Sequence, residues 1–149
     1  MRERAERNRT LTLSPEEEKC YAARLQQLQC PADICQMQDQ IFCQDLLEAL
    51  QFTPQAFADL LVIDPPYNLN IKYGDKQFVR TSDEKYLDYV MQWLPAVLRW
   101  LKPNGSVYVC CDWLTSTVIY QALKDCGITI RNRITWQREK GRGAKDNWK

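Results

Sequence analysis

The chain has 149 residues, 45% of them hydrophobic and 11% aromatic, with a formal net charge of +1. These values predict one folded domain and exclude a globally basic polyanion binder, and no apolar run is long enough for a membrane span or signal peptide. With no histidine, His-based catalysis and His-ligated metal are excluded, and seven cysteines without a C-x-x-C pair fit a reducing cytoplasm, not a disulfide framework or zinc site.

The first ten residues are polar and read as a frayed terminus. Ser14-Pro15-Glu16-Glu17 reads as a capping box with proline at the first helical position. It predicts an N-terminal helix over 15–29, with Tyr21, Leu25 and Leu28 on one face and a stop before Cys30-Pro31. A Gln-rich connector over 30–40 carries no motif. A strand over 41–44 and a short helix over 46–50 follow, and after the Thr53-Pro54 break comes a buried strand over 60–63. The polar stretch 68–80 reads as a mobile loop.

Thr81-x-x-Glu84 then opens a long helix as a second capping box. Its apolar stripe is Leu87, Val90, Met91, Leu94, Leu98 and Leu101, with a kink expected at Pro95 and a stop at Asn104-Gly105. A strand over 107–111, a helix over 115–126 stopped by Gly127, and a β-rich segment over 128–136 complete the order. Alternating strands and helices are the pattern of a doubly wound α/β sheet.

Asp64-Pro65-Pro66-Tyr67 sits where the strand over 60–63 ends, and open α/β sheets build their sites at the carboxyl ends of strands. The residue types suit methylation of an exocyclic amino group such as adenine N6 or cytosine N4. The lone pair of that nitrogen is conjugated into the ring and is a poor nucleophile. The Asp64 carboxylate and the Pro65 carbonyl can accept from its two N–H groups and draw the nitrogen toward sp³ geometry. Pro65 and Pro66 fix φ near −65°, so those acceptors are held with little reorganisation. Tyr67 offers a flat face on which an extruded base can stack. The bland alternative is that Pro-Pro merely ends a strand. No metal is needed.

These residues resemble the S-adenosylmethionine-dependent amino-methyltransferases of DNA that carry the DPPY signature. The resemblance covers about residues 38 to 149, with residues 41–50 similar to the strand-acid-helix segment that precedes DPPY in the β-class members. Residues 64–69, 101–109, 111–113 and 134–143 also resemble family segments. It implies an incomplete doubly wound, Rossmann-like methyltransferase sheet over residues 38–149, preceded by an N-terminal helical extension over 1–37. It also implies S-adenosylmethionine as cofactor, with Asp45 and Asp64 beside it. Read from the residues alone, Asp45 is equally a helix N-cap, and Asp112 a cap for the helix at Thr115.

The departure from the family pattern is a set of missing parts. Five glycines are present, and Gly141-Arg142-Gly143, the one G-x-G, lies in a basic tail and not in a strand-to-helix turn. The chain stops where the target-recognition region is expected. The expectation is the catalytic half of a split adenine-N6 methyltransferase, partnered by a complementary chain carrying the glycine-rich cofactor loop and the recognition region. Cytosine-N4 methylation is the runner-up, because the mechanism is shared; the family's cytosine members more often begin the motif with serine. A non-catalytic assembly subunit is the alternative from another class.

Double-stranded DNA is the expected substrate. Residues 131–149 hold Arg131, Arg133, Arg138, Lys140, Arg142, Lys145 and Lys149 against Glu139 and Asp146, with tryptophans interleaved. Lys72, Arg138, Lys140, Arg142 and Lys145 are the candidate phosphate contacts, although basic stretches are often only solvated.

Overall fold

The computed structural model describes residues 12–73 and 76–136. Its elements begin with helices α1 (Pro15–Ala22), α2 (Ile34–Met37) and α3 (Leu46–Ala49), then a 3-10 turn at Leu50–Phe52. Strands β1 (Ala58–Ile63), β2 (Ile71–Tyr73) and β3 (Lys76–Phe78) follow. Helix α4 (Asp83–Leu98), strand β4 (Leu101–Val109) and helix α5 (Ser116–Asp125) complete the order. β1 and β4 pair in parallel with α4 between them in sequence, whereas β2 and β3 form a separate antiparallel hairpin. The fold is mixed α/β with a small parallel sheet.

The core lies on one face of that sheet. Val90, Trp93, Leu94 and Val97 of α4 meet Val118, Ile119 and Ala122 of α5, and Leu61, Ile63 and Val109 of the sheet pack against them. Strand alternation sends Leu60, Val62 and Tyr108 to the opposite face, where they are 55%, 68% and 52% exposed. Every second residue of an apolar strand run is therefore uncovered. Among the described residues no helix is long and apolar enough to cross a membrane.

Several expected elements change length or form, each for a non-local reason. Ser14 and Glu17 do make the capping box of α1, but the helix ends at Ala22 instead of continuing to 29. No residue of α1 is buried, so nothing holds two further turns against competing bonds. Gln26 instead joins an isolated parallel bridge with Phe42, its N–H donating to the Ile41 carbonyl at 2.8 Å and its carbonyl accepting from Cys43 N–H at 3.0 Å. The Gln44 amide extends this pairing by bonding both the N–H and the carbonyl of Leu28. The strand expected over 41–44 is this single bridge.

The stretch 68–80, expected as a mobile loop, carries the β2–β3 hairpin. α4 starts from Ser82, whose hydroxyl accepts from Lys85 N–H, because Thr81 is committed to Asn68. The helix stops at Leu98 and does not run on to Asn104-Gly105. The carbonyls of Arg99 and Trp100 are taken by the N–H groups of Ala56, Phe57 and Ala58, which turns the chain into β4 and places Leu101 in a strand. Lys102 to Gly105 form a bulge between the pairs Ala58↔Leu101 and Leu60↔Ser106. Gly105 is required there, since a Cβ would lie 2.6 Å from Leu101 Cδ1 and 3.0 Å from the Ala58 carbonyl oxygen. Gly127, at φ +76°, stops α5 as expected. Residues 128–136 form no ladder among the described residues, so the β-rich expectation there is corrected. Ile134 is 72% exposed, and among the described residues no strand pairs with the segment.

Candidate active site

β1 delivers Asp64 to its carboxyl end, and the ladder continues one step past β4 through Cys110 N–H to the Ile63 carbonyl at 2.8 Å. Beyond that bond the chain leaves the sheet as Asp64-Pro65-Pro66-Tyr67. Pro65 is buried, Tyr67 half-buried, and Asp64 and Pro66 are exposed. The Tyr67 hydroxyl donates to Asp64 Oδ1 at 3.0 Å. Desolvation, and then the Asp64 contact, push the Tyr67 phenol up to about 12, so it remains a protonated donor to the carboxylate. Among the described residues no donor reaches Asp64 Oδ2 or the Pro65 carbonyl. Among the described residues, then, both acceptors have no donor.

Two further anchors hold the segment. The buried Tyr86 of α4 donates its hydroxyl to the Pro66 carbonyl at 2.9 Å, and burial pushes that phenol up to about 12. The side-chain amide of Asn68, also buried, donates to the Thr81 carbonyl at 2.9 Å and accepts Thr81 N–H at 2.8 Å. Asn70 Oδ1 accepts Arg80 N–H at 2.8 Å, closing the foot of the hairpin. The β2–β3 hairpin therefore rises directly from the site on a cross-braced base.

Asp112 follows β4 on the same rim. Its Oδ1 accepts both the N–H and the hydroxyl of Thr115, closing a turn ahead of α5; Thr115 is itself the N-cap and no side chain caps the helix, so Asp112 holds the capping residue instead of capping α5. Burial and the Asp112 charge push the Cys111 thiol up. Arg133 stacks its guanidinium 5.2 Å from the ring centre of Trp113, an exposed aromatic beside this rim. Asp45 caps α3, with Oδ1 accepting from Leu47 N–H at 2.9 Å and Glu48 N–H at 3.4 Å. Lys72 falls on β2. Arg138, Lys140, Arg142 and Lys145 lie outside the described residues.

Residues 58–149 match the family model described as DNA methylase, of the N6/N4 type. The chain belongs to the N6/N4 DNA methylase family. It is 33% identical over 113 residues to the type II methyltransferase M.HpaI of Haemophilus parainfluenzae, covering 72% of this chain and 34% of the relative. It is 31% identical over 105 residues to the type II methyltransferase M1.MboII of Moraxella bovis, covering 70% of this chain and 38% of the relative. The chain thus spans about a third of the length of these relatives.

DNA methylases of this family draw the methyl group from S-adenosylmethionine. The exposed Asp64 carboxylate, whose Oδ2 has no donor among the described residues, is of a charge that suits the cationic end of that cofactor. A glycine-lined backbone cradle for its adenosine is not found among the described residues: Gly105 occupies the β4 bulge and Gly127 the end of α5. Sequence reasoning missed Tyr86 and the Asn68–Thr81 brace. Tyr86 lies four residues before Val90 on the buried stripe, and a phenol in a core position needs an acceptor for its hydroxyl. That was the available signal.

Proposed function

We propose that this chain is the DPPY-bearing catalytic part of a DNA methyltransferase that methylates adenine N6 on a flipped base. The observation that carries the reading is a pair of acceptors at the end of β1, Asp64 Oδ2 and the Pro65 carbonyl, that no donor reaches among the described residues and that lie beside Tyr67. S-adenosylmethionine, when bound, supplies an electrophilic methyl on a cationic sulfur. Asp64 and Pro65 accept the two N–H groups of the amine, and the bonds strengthen as the nitrogen pyramidalises. Tyr67 stacks on the extruded base while its hydroxyl holds Asp64 Oδ1. The proton lost from nitrogen passes to Asp64 or to water at this exposed rim. Asp45 contributes to the cofactor side with the carboxylate oxygen left over from capping α3. Lys72 and the basic residues Arg138, Lys140, Arg142 and Lys145 follow the DNA backbone.

The same reading includes a complementary methyltransferase segment, which supplies the glycine-rich loop and the recognition region and completes a doubly wound sheet. Parallel sheets are stable when both faces are covered, and here Leu60, Val62 and Tyr108 form a bare face. The chain's span of about a third of its relatives leaves ample sequence for such a cover. Transfer of tritium from labelled S-adenosylmethionine to unmethylated duplex DNA, followed by nucleoside mass spectrometry, tests the function. N6-methyladenine is the expected product. N4-methylcytosine alone overturns the base assignment, and no transfer by the protein with its complementary segment overturns the reading.

A further inference from the structure

Between the Asp64 Cα and the Tyr67 nitrogen the backbone has one soft torsion. Pyrrolidine rings lock φ at Pro65 and Pro66. Asp64 and Pro65 each precede a proline, which confines their ψ to the extended region. ψ of Pro66 is left, and it sets the direction of the Pro66 carbonyl and the plane of the peptide leading to Tyr67, the frame from which φ and χ1 of Tyr67 then direct its ring. Prolines carry no N–H, so this stretch can be hydrogen-bonded to the scaffold only through its carbonyls. Of the two, Pro65's is free among the described residues and Pro66's is taken by Tyr86.

From this geometry we infer that Tyr86 is a positioning residue of the site, which aims Tyr67, and through it Asp64, by fixing the Pro66 carbonyl. The inference rests on the methyltransferase reading above for its kinetic consequence, but not for the clamp itself. Tyr86 is suited to the task because its own position is fixed. Its ring is 4% exposed and stacks on Tyr89 at 6.0 Å and 27°, and Tyr89 in turn packs edge-on to Trp93 at 6.4 Å. The hydroxyl therefore projects from the core helix at a defined point. The chain of positioning runs from α4 to Pro66, from Pro66 to the Tyr67 ring, and from the Tyr67 hydroxyl to Asp64. It also leaves the Pro65 carbonyl unspent for the amine.

Tyr86→Phe keeps the ring and removes only the hydroxyl, and Tyr89→Phe, which leaves the ring stack in place, is the control for loss of a neighbouring phenol hydroxyl. In the full-length protein assayed with its complementary segment, Tyr86→Phe is expected to lower kcat about tenfold with KM for DNA and cofactor within about twofold. Tyr89→Phe is expected to leave kcat unchanged. A second measurement does not depend on activity: the Pro66 carbonyl carbon should shift in the NMR spectrum of Tyr86→Phe, and the order parameter of the Tyr67 amide should fall. An unchanged Pro66 carbonyl and unchanged Tyr67 order overturn the clamp. Equal kcat losses in both variants also overturn it, because the loss is then not specific to the hydroxyl that reaches the Pro66 carbonyl. Absence of methyl transfer by the wild type refutes the methyltransferase reading, while the Pro66 signal still decides the clamp.

Discussion

The two faces of the β1–β4 sheet are built from the same apolar strand runs and end in opposite environments. Leu61, Ile63 and Val109 lie under α4 and α5, and Leu60, Val62 and Tyr108 face outward. One face of the parallel sheet is therefore covered by helices and the other is bare, the face on which the proposed complementary segment would dock. The rim that carries Asp64 and Asp112, at the carboxyl ends of both strands, belongs to neither face. Its geometry is fixed by side-chain hydrogen bonds, one of them from Tyr86 in the core.

That contrast can be broken at four points. Leu94 is fully buried on the covered face, so Leu94→Ala should cost about 2–5 kcal/mol in urea unfolding, combining lost transfer energy with a residual cavity. A loss under about 0.5 kcal/mol there means that the face is not the core. Asp64→Ala on the rim should reduce methyl transfer by roughly 100-fold or more, while the urea midpoint stays close to wild type. Activity within about threefold of wild type removes Asp64 from the chemistry.

Tyr67 separates ring from hydroxyl on the same rim. Tyr67→Ala should lose roughly tenfold more activity than Tyr67→Phe, because stacking of the base needs a ring and the hydroxyl only orients Asp64. Equal losses in the two variants make the hydroxyl contact the main contribution. The smallest effect is expected on the bare face. Val62→Thr should change the stability of the isolated chain by less than about 0.5 kcal/mol, yet weaken capture of a complementary methyltransferase segment in a pull-down. Destabilisation comparable to Leu94→Ala shows that the face is already covered within this chain.

The parts legible in the sequence are those whose causes are local. The run Leu60–Ile63, the capping box at Ser14 and the glycine after α5 all appear where short-range pattern puts them. Asp64 to Tyr67 were visible because their order at a strand end is unusual. The illegible parts depend on partners distant in sequence. α1 loses its expected last turns to a bridge with residue 42, and α4 gives up Leu101 to a strand whose register is set by Ala58. The stripe that suggested a longer α4 was real in period, but Leu101 serves a different element. Tyr86 and Asn68 act across 20 and 13 residues, beyond any window of local pattern.

The bulge in β4 has a consequence for how the molecule can vary. Six residues of β4, 101–106, run opposite three of β1, 58–60, before the strands resume a regular one-to-one register. The surplus falls at residues 102–105, where Lys102 is bonded to Asp59 of β1, Gly105 packs against the Ala58 carbonyl and only Pro103 and Asn104 are exposed. The register downstream is set by the pairs from Leu61↔Val107 to Ile63↔Val109. A peptide tag grafted at Pro103-Asn104 is therefore expected to leave the spacing of Cys110 and Asp112 against Asp64 as it is.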